Sequence, residues 1–420
     1  MEPHNTTPRL VALAATIHDS VAKLQGILSA QGLPSPSFDE DNPTSLPPEA
    51  SKVQDAVLDA TAELHELLLE PLPLLFKFSA TNSMVSIHAI CRLNIASMVP
   101  VGGQKSFKDI SVQTGLDEQI TRRLLRHAMG MRIFREPEPG MVAHTKTSKM
   151  LLNPSVNAWM NCGAEESWVS SVKMVDALQK WPGSQEPNET AFALANNTEN
   201  TIYEVISGDP QRGMRFASAM KAMALLPGYG TSDVVKNYDW ASLGKAFVVD
   251  VGGSQGHIAL EIAKHFSDIN LLVQDMGKMV EGAEALVPDE LKGQIKFMEH
   301  ELFATQTVQA DVYYFRMVFH NWSDKYCVLI LKAQIPALKT GAKILIQDIC
   351  MPEPAKLPLW KERDLRATDL NMGAFFNARE RSLEEWKDLL AQADPRFVLR
   401  RVVEPKGSGL AMMEIIWNSE

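Results

Sequence analysis

Apolar positions change period along the chain. From Leu10 onward they recur at helical spacing through Val21, Leu24 and Leu28, and again from Val53 to Leu68; both stretches predict amphipathic helices. A further apolar helix is expected over roughly 74 to 99. Between the first two helices lie Pro34, Pro36, Pro43, Pro47 and Pro48 among Ser, Asp and Asn, a linker that cannot be helical. Residues 106 to 134 read as helix, Gly115 turn, helix, with Phe134 to His144 as a following wing. Residues 151 to 235 are mostly helical and carry Met160, Trp168, Met174, Phe192, Phe216, Met220 and Met223, residue types that pack a core or line an apolar pocket.

Past residue 245 the pattern shifts to short apolar runs separated by helical stretches. Strands are expected at Ala246 to Val251, Leu271 to Gln274, Ile295 to Met298, Val312 to Phe315 and Ile344 to Ile346, with helices near 258–266, 281–291, 324–338 and 382–392. That alternation predicts a parallel sheet covered on both faces. Phe397 to Val403 and Met412 to Trp417 have no helix between them and predict an antiparallel closing pair. Ser382-Leu383-Glu384-Glu385 spells a capping box, so a helix starts there and Glu380 falls in the loop before it.

Composition narrows the possibilities. A chain of 420 residues, 45% apolar and 22% charged, suits two or more globular domains. A net charge of −10 disfavours nucleic acid and anionic membranes as partners. That charge argues for packing or dimerisation over DNA binding at the helix-turn-helix, although Arg122, Arg123 and Arg126 lie on its second helix. Cys91, Cys162, Cys327 and Cys350 have no metal-binding or redox spacing. No apolar run reaches the ~18 residues that a membrane span needs. A reducing, cytoplasmic setting without a metal is therefore expected.

The chemistry centres on the strand Ala246 to Val251, which breaks into Gly252-Gly253-Ser254-Gln255-Gly256 before a helix. Glycines there admit a close ligand, and the helix start offers unpaired N–H groups. Asp275 closes the next strand 23 positions after Gly252, where nucleotide-binding sheets hold ribose hydroxyls. The dinucleotide fingerprint Gly-x-Gly-x-x-Gly is absent. The same five residues also spell Gly-x-Ser-x-Gly, a hydrolase nucleophile elbow with Ser254 as nucleophile, Asp275 and His320 completing the formal order. Against it, no His-Gly-Gly segment for an oxyanion hole lies upstream. His320 follows the strand Val312 to Phe315 at the carboxyl edge of the sheet, and histidine suits general base work at neutral pH. Asp348 and Glu380 occupy comparable downstream places, either able to fix its tautomer.

Gly252 to Gly256, Asp275, the segment Glu299-His300-Glu301-Leu302-Phe303 and the block His320-Asn321-Trp322-Ser323-Asp324 together resemble the S-adenosylmethionine-dependent O-methyltransferases of the caffeate and sterigmatocystin type. The likeness runs from the N-terminal helices through Trp417. It implies an α/β class I methyltransferase (Rossmann-like) sheet with an N-terminal all-α winged-helix dimerisation domain. The divisions would be 1–70 for N-terminal helices and linker, 71–155 for dimerisation and 156–420 for the methyltransferase domain.

By that resemblance Gly252, Gly253 and Gly256 hug the methionine part of S-adenosylmethionine, and Asp275 binds its ribose. His300, Glu301 and Leu302 frame the adenine, Arg316 contacts the cofactor and Trp322 lies nearby. His320 is the base, flanked by Asp348 and Glu380. The expected activity is methylation of a phenolic or enolic hydroxyl on an aromatic or polyketide-type secondary metabolite by a cytoplasmic homodimer. Ser254, Glu301, Asn321 and Asp348 depart from the usual Gly, Asp, Asp and Glu of the pattern. A second reading keeps the fold and the cofactor but performs a pericyclic or dehydration reaction without methyl transfer.

Overall fold

The computed structural model describes residues 7–79, 82–226, 228–404 and 408–418. They fall into two compact units. One holds the chain up to Trp168 with Gln211–Met220 and Pro354–Asp364, the other Val169–Pro210, Lys221–Glu353 and the chain from Leu365.

In the first unit the helices Arg9–Ala30 and Ser51–Leu68 pack together, as their apolar spacing requires. Where one helix was expected over 74–99, the structure has Pro71–Ser79, Asn82–Arg92 and Ile95–Met98. The last break falls at Asn94, whose φ of 51° suits the short polar side chain of asparagine and ends the helix. The helix Phe107–Thr114 stops at Gly115, φ 73°, and Asp117 caps Glu118–Gly130 by accepting the backbone N–H groups of Gln119 and Ile120. Two short strands, β1 (Gln104–Ser106) and β2 (Met141–Ala143), pair antiparallel beside them. Ile90, Phe107, Ile110, Leu125, Phe134 and Val142 form the core of this part. Arg122 pairs with Glu118 and Arg126 with Glu136, so two of the three arginines flagged for DNA are engaged by acids of their own chain.

The second unit is built on a seven-stranded sheet. Its strands are β3 (Ala246–Val251), β4 (Ile269–Asp275), β5 (Ile295–Glu299), β6 (Val312–Arg316), β7 (Lys343–Asp348), β10 (Phe397–Val403) and β11 (Ala411–Trp417), in the order β10-β11-β7-β6-β3-β4-β5. The first five are parallel, and the last two enter antiparallel, as the missing helix between them predicts. A two-residue parallel bridge joins β8 (Cys350–Met351) to β9 (Arg381–Ser382). Alternation along each strand divides the core between the two faces. Val249, Val251, Tyr313, Phe315, Ile344 and Ile346 meet Ile330, Leu331, Trp386 and Leu390 on one face. Val248, Leu271, Val273, Tyr314 and Leu345 meet Ala259, Ile262 and Trp240 on the other.

The expected helix over 281–291 is replaced by short turns at Gly277–Val280, Ala283–Leu286 and Asp289–Leu291. Gly282 sits in the left-handed region at φ 74° and Pro288 cannot donate a helical hydrogen bond, so the run is cut twice. The capping box at Ser382 is formed, its hydroxyl accepting from Glu385 N–H while the Glu385 carboxylate accepts from Ser382 N–H. Among the apolar residues considered as pocket wall, Phe192 is fully buried edge-on against Phe375, and Met160 and Phe216 pack against core clusters of the first unit. No helix among the described residues is long and apolar enough to cross a membrane.

Candidate active site

Every site residue of the sequence reading belongs to the second unit. After β3 the chain turns through Gly252 (φ 79°), Gly253, Ser254 (φ 52°) and Gly256 (φ 75°), and the helix His257–His265 begins. A Cβ on Gly253 would stand 2.5 Å from Asp250 Oδ2 and 2.8 Å from Val273 Cγ1; on Gly256 it would stand 2.9 Å from the Phe297 ring. At these glycines the backbone is pressed against its own supports, and no Cβ fits.

Asp275 ends β4 and locks this turn. One carboxylate oxygen accepts from Ser254 N–H at 2.8 Å and the other from Met276 N–H at 2.7 Å, which leaves lone pairs on both for a ligand hydroxyl. Its main-chain carbonyl accepts from His300 N–H at 2.9 Å, bringing the post-β5 segment alongside. The His300 ring is half-buried with Nε2 unpartnered, and burial lowers its pKa against the pull of Glu301. Glu301 is exposed and accepts from Phe303 N–H at 2.8 Å. Leu302 packs against the core, and Phe303 meets Trp322 edge-on with centroids 4.7 Å apart. The Tyr203 ring also meets Trp322, tilted, with centroids 6.1 Å apart. Arg316 is placed differently from the other cofactor candidates. Its guanidinium donates to Gln347 Oε1 at 3.2 Å and to the Tyr229 carbonyl at 2.7 Å.

At the carboxyl edge of β6 and β7 the second half assembles. His320 Nδ1 and Glu380 Oε1 are 2.9 Å apart, and Asp348 Oδ2 accepts from the His320 backbone N–H at 3.3 Å. All three residues are buried. Asp348 Oδ1 and Glu380 Oε2 have no protein donor. Glu380 is in the expected loop, but it is not solvated. Its own N–H is held by Asp369 Oδ1 at 2.8 Å and its side chain is enclosed. A carboxylate on Nδ1 selects the tautomer with the proton there and the lone pair on Nε2.

The electrostatics follow from this packing. Burial pushes the Asp348 carboxyl up to about 7, with His320 pulling it down and Glu380 pushing it further up. For His320, burial acts downward, Asp348 and then Glu380 act upward, and the balance lies above the ordinary histidine value.

Sequence reasoning passed over three residues. Asp250, inside β3, is buried with Oδ2 unpartnered, and burial drives it up to about 7 against the pull of Arg316. Tyr203 is half-buried, its ring tilted against those of Trp322 and Phe376. Arg381 is a fully buried guanidinium bonded to main-chain carbonyls around His320. Nothing in their local sequence marks them. Ser254, the elbow candidate, uses its N–H on Asp275, while His320 is bonded to Glu380; the acid and base of a hydrolase relay are each committed elsewhere.

A parallel five-stranded core closed by an antiparallel pair, a glycine turn after its first strand and an acid ending its second define a class I methyltransferase. Residues 176–394 match the model of the O-methyltransferase domain and residues 74–154 that of the O-methyltransferase dimerisation domain. The chain belongs to this O-methyltransferase family. It is 48% identical to the O-methyltransferase PaMT of Phomopsis amygdali, over 98% of this chain and 97% of the relative. Among solved structures it is similar to OxaC in complex with SAH and oxaline, with a TM-score of 0.76, 21% identity and coverage of 98% and 100% of the two chains. It is likewise similar to LepI in complex with SAM, with a TM-score of 0.76, 21% identity and coverage of 96% and 100%. The protein is an O-methyltransferase.

Proposed function

We propose that this enzyme moves a methyl group from S-adenosylmethionine to a phenolic or enolic hydroxyl of an aromatic or polyketide-type secondary metabolite, with His320 as the general base. The observation that carries the reading is the buried His320–Glu380 contact at 2.9 Å beside Asp348, which orients the ring and leaves Nε2 to take a proton.

The residues present fit the methyl donor: Gly252, Gly253 and Gly256 keep the turn bare where a Cβ has no room, and Asp250 Oδ2 and His300 Nε2 are buried without partners. Gly252, Gly253 and Gly256 would face the methionine part, Asp275 the ribose, and His300, Glu301 and Leu302 the adenine, with Arg316 and Trp322 bordering it. When bound, S-adenosylmethionine supplies an electrophilic methyl on a sulfonium. The protein's share is alignment and proton removal. Nε2 of His320 accepts the hydroxyl proton, the imidazolium so formed is stabilised by Glu380 and Asp348, and the substrate oxygen is held as the nucleophile. Asp348 Oδ1 and Glu380 Oε2 remain as acceptors for further hydroxyls of the substrate.

The dimerisation-domain match over 74–154 supports a homodimer. The two helices around Gly115 with the β1–β2 pair support a winged-helix form for that segment, within divisions of 1–70, 71–155 and 156–420. A cytoplasmic setting completes the reading.

Calorimetric titration with S-adenosylmethionine, then incubation with a panel of phenols and mass detection of one added methyl, tests it. Binding with methyl gain is expected. Binding without methyl gain across the panel favours a pericyclic or dehydration reaction on the same fold, and absence of binding overturns the cofactor assignment. Asp275→Ala should weaken cofactor affinity by about 10- to 100-fold, since hydrogen bonds to a charged group contribute about 1.5–3 kcal/mol each; unchanged affinity removes the ribose role.

A further inference from the structure

We propose that Arg381 is the positioning residue of this active site: its guanidinium clamps the main chain on both sides of His320 while the neighbouring Glu380 holds the ring. The proposal rests on His320 acting as the base. The side chain is fully buried. Nη1 donates to the Phe319 carbonyl at 3.2 Å, Nη2 to the Trp322 carbonyl at 2.8 Å, and Nε to Asp324 Oδ1 at 2.8 Å. Phe319 precedes the base by one residue and Trp322 follows it by two, so the fork spans the turn that carries it.

The turn needs such a clamp. Met317 sits in the left-handed region at φ 55°, and only the short 3-10 turn Phe319–Asn321 connects β6 to the helix Asp324–Gln334. Asp324, the first residue of that helix, is tied both to Arg381 and to Arg379 Nη2 at 2.6 Å. The guanidinium also lies over the Trp386 ring, 5.5 Å from its centroid, and β9 is registered beside β8 through Cys350 and Arg381. Two adjacent residues thus fix backbone and imidazole together, and both reach the base from a segment about 60 positions away.

A stabilising role alone does not account for this choice. A buried ion pair roughly breaks even against an apolar replacement of the same shape. Three hydrogen bonds spread over two carbonyls and a carboxylate need the planar fork that lysine lacks. The charged groups facing His320 are Asp348 from the end of β7 and Glu380 and Arg381 from the β9 segment, and the cation opposes the two acids there.

The experiment uses full-length protein labelled at histidine Cε1, with Arg381→Met, Arg381→Lys and His320→Asn. The His320 resonance is the one of ten histidines that the last variant removes. Its titration is followed by NMR, S-adenosylmethionine binding by calorimetry, and turnover on a phenol that the wild type methylates. With Arg381→Met the His320 midpoint should rise and its resonance broaden, cofactor affinity should stay within about threefold, and turnover should fall about 100-fold, the effect of misplacing a catalytic group by ~1 Å. Arg381→Lys should keep the midpoint near wild type without restoring the rate. An unchanged His320 resonance with wild-type turnover in Arg381→Met overturns the proposal, as does full turnover in Arg381→Lys. Loss of cofactor binding in both variants overturns it in favour of a purely structural arginine. If His320→Asn itself retains turnover, the base reading fails, a result separate from any effect of Arg381 on the ring.

Discussion

Around Gly252 to Gly256 the turn is shaped by glycines with no room for a Cβ and locked by one carboxylate on two N–H groups. Around His320 the arrangement is made by side chains, with two acids and a buried arginine drawn from stretches 28 and about 60 positions away. The first half is local and limited by space; the second is long-range and governed by charge. Substitutions should therefore fail differently in the two halves, sterically in one and electrostatically in the other.

The largest effect is expected at the base. His320→Ala should cost about 10²- to 10⁴-fold in turnover, the usual share of general base catalysis, with cofactor affinity within a few-fold of wild type by calorimetry; retained methylation would sink the assignment. Next comes Gly253→Ala. Its new methyl would lie 2.5 Å from Asp250 Oδ2, so the turn must shift, and cofactor affinity should drop at least about tenfold at a stability cost of about 1–3 kcal/mol. Wild-type affinity there would break the steric side of the comparison.

A smaller effect concerns protons. Asp250 is raised from 3.8 to about 7 by burial, so the folded protein holds a proton that the unfolded chain releases near pH 4. Its contribution to stability is full below pH 4 and is lost as pH rises through about 7. Asp250→Asn cannot lose it, so the Tm of the variant relative to wild type should climb by a few degrees between pH 5 and pH 8. A constant difference across that range would contradict this account. The smallest effect is at Ser254, whose Ala variant keeps the N–H that binds Asp275. Turnover should stay within about twofold, and loss of activity would revive the nucleophile reading.

Legibility followed the same division. The strand, turn and helix around Gly252 are contiguous, and period and glycine spacing expose them, as the capping box exposes the helix after Ser382. The loop position of Glu380 was readable, but its burial was not, because Asp369 and His320 enclose it from outside any local window. Asp250 reads as one more strand residue, and a buried carboxyl leaves no periodic mark. The helix Leu359–Phe376 went unseen because its buried residues, Ala374, Phe375 and Phe376, cluster at one end with no stripe along it. The partners of Arg316, Gln347 and Tyr229, lie 31 and 87 positions away, outside any local window.

The strand order carries a consequence for biosynthesis. β11 lies between β10 and β7, and its Ala411 is registered opposite Asp348. Translation delivers the glycine turn, His320 and Glu380 well before residues 411–417 emerge. Until then β7 presents an unpaired edge ending in a carboxylate that needs enclosure. A nascent chain can thus form the turn around Gly252 early, whereas the surroundings of His320 and Asp348 wait for residues 411–417, and a stop shortly before them would leave an exposed strand open to pairing with other chains.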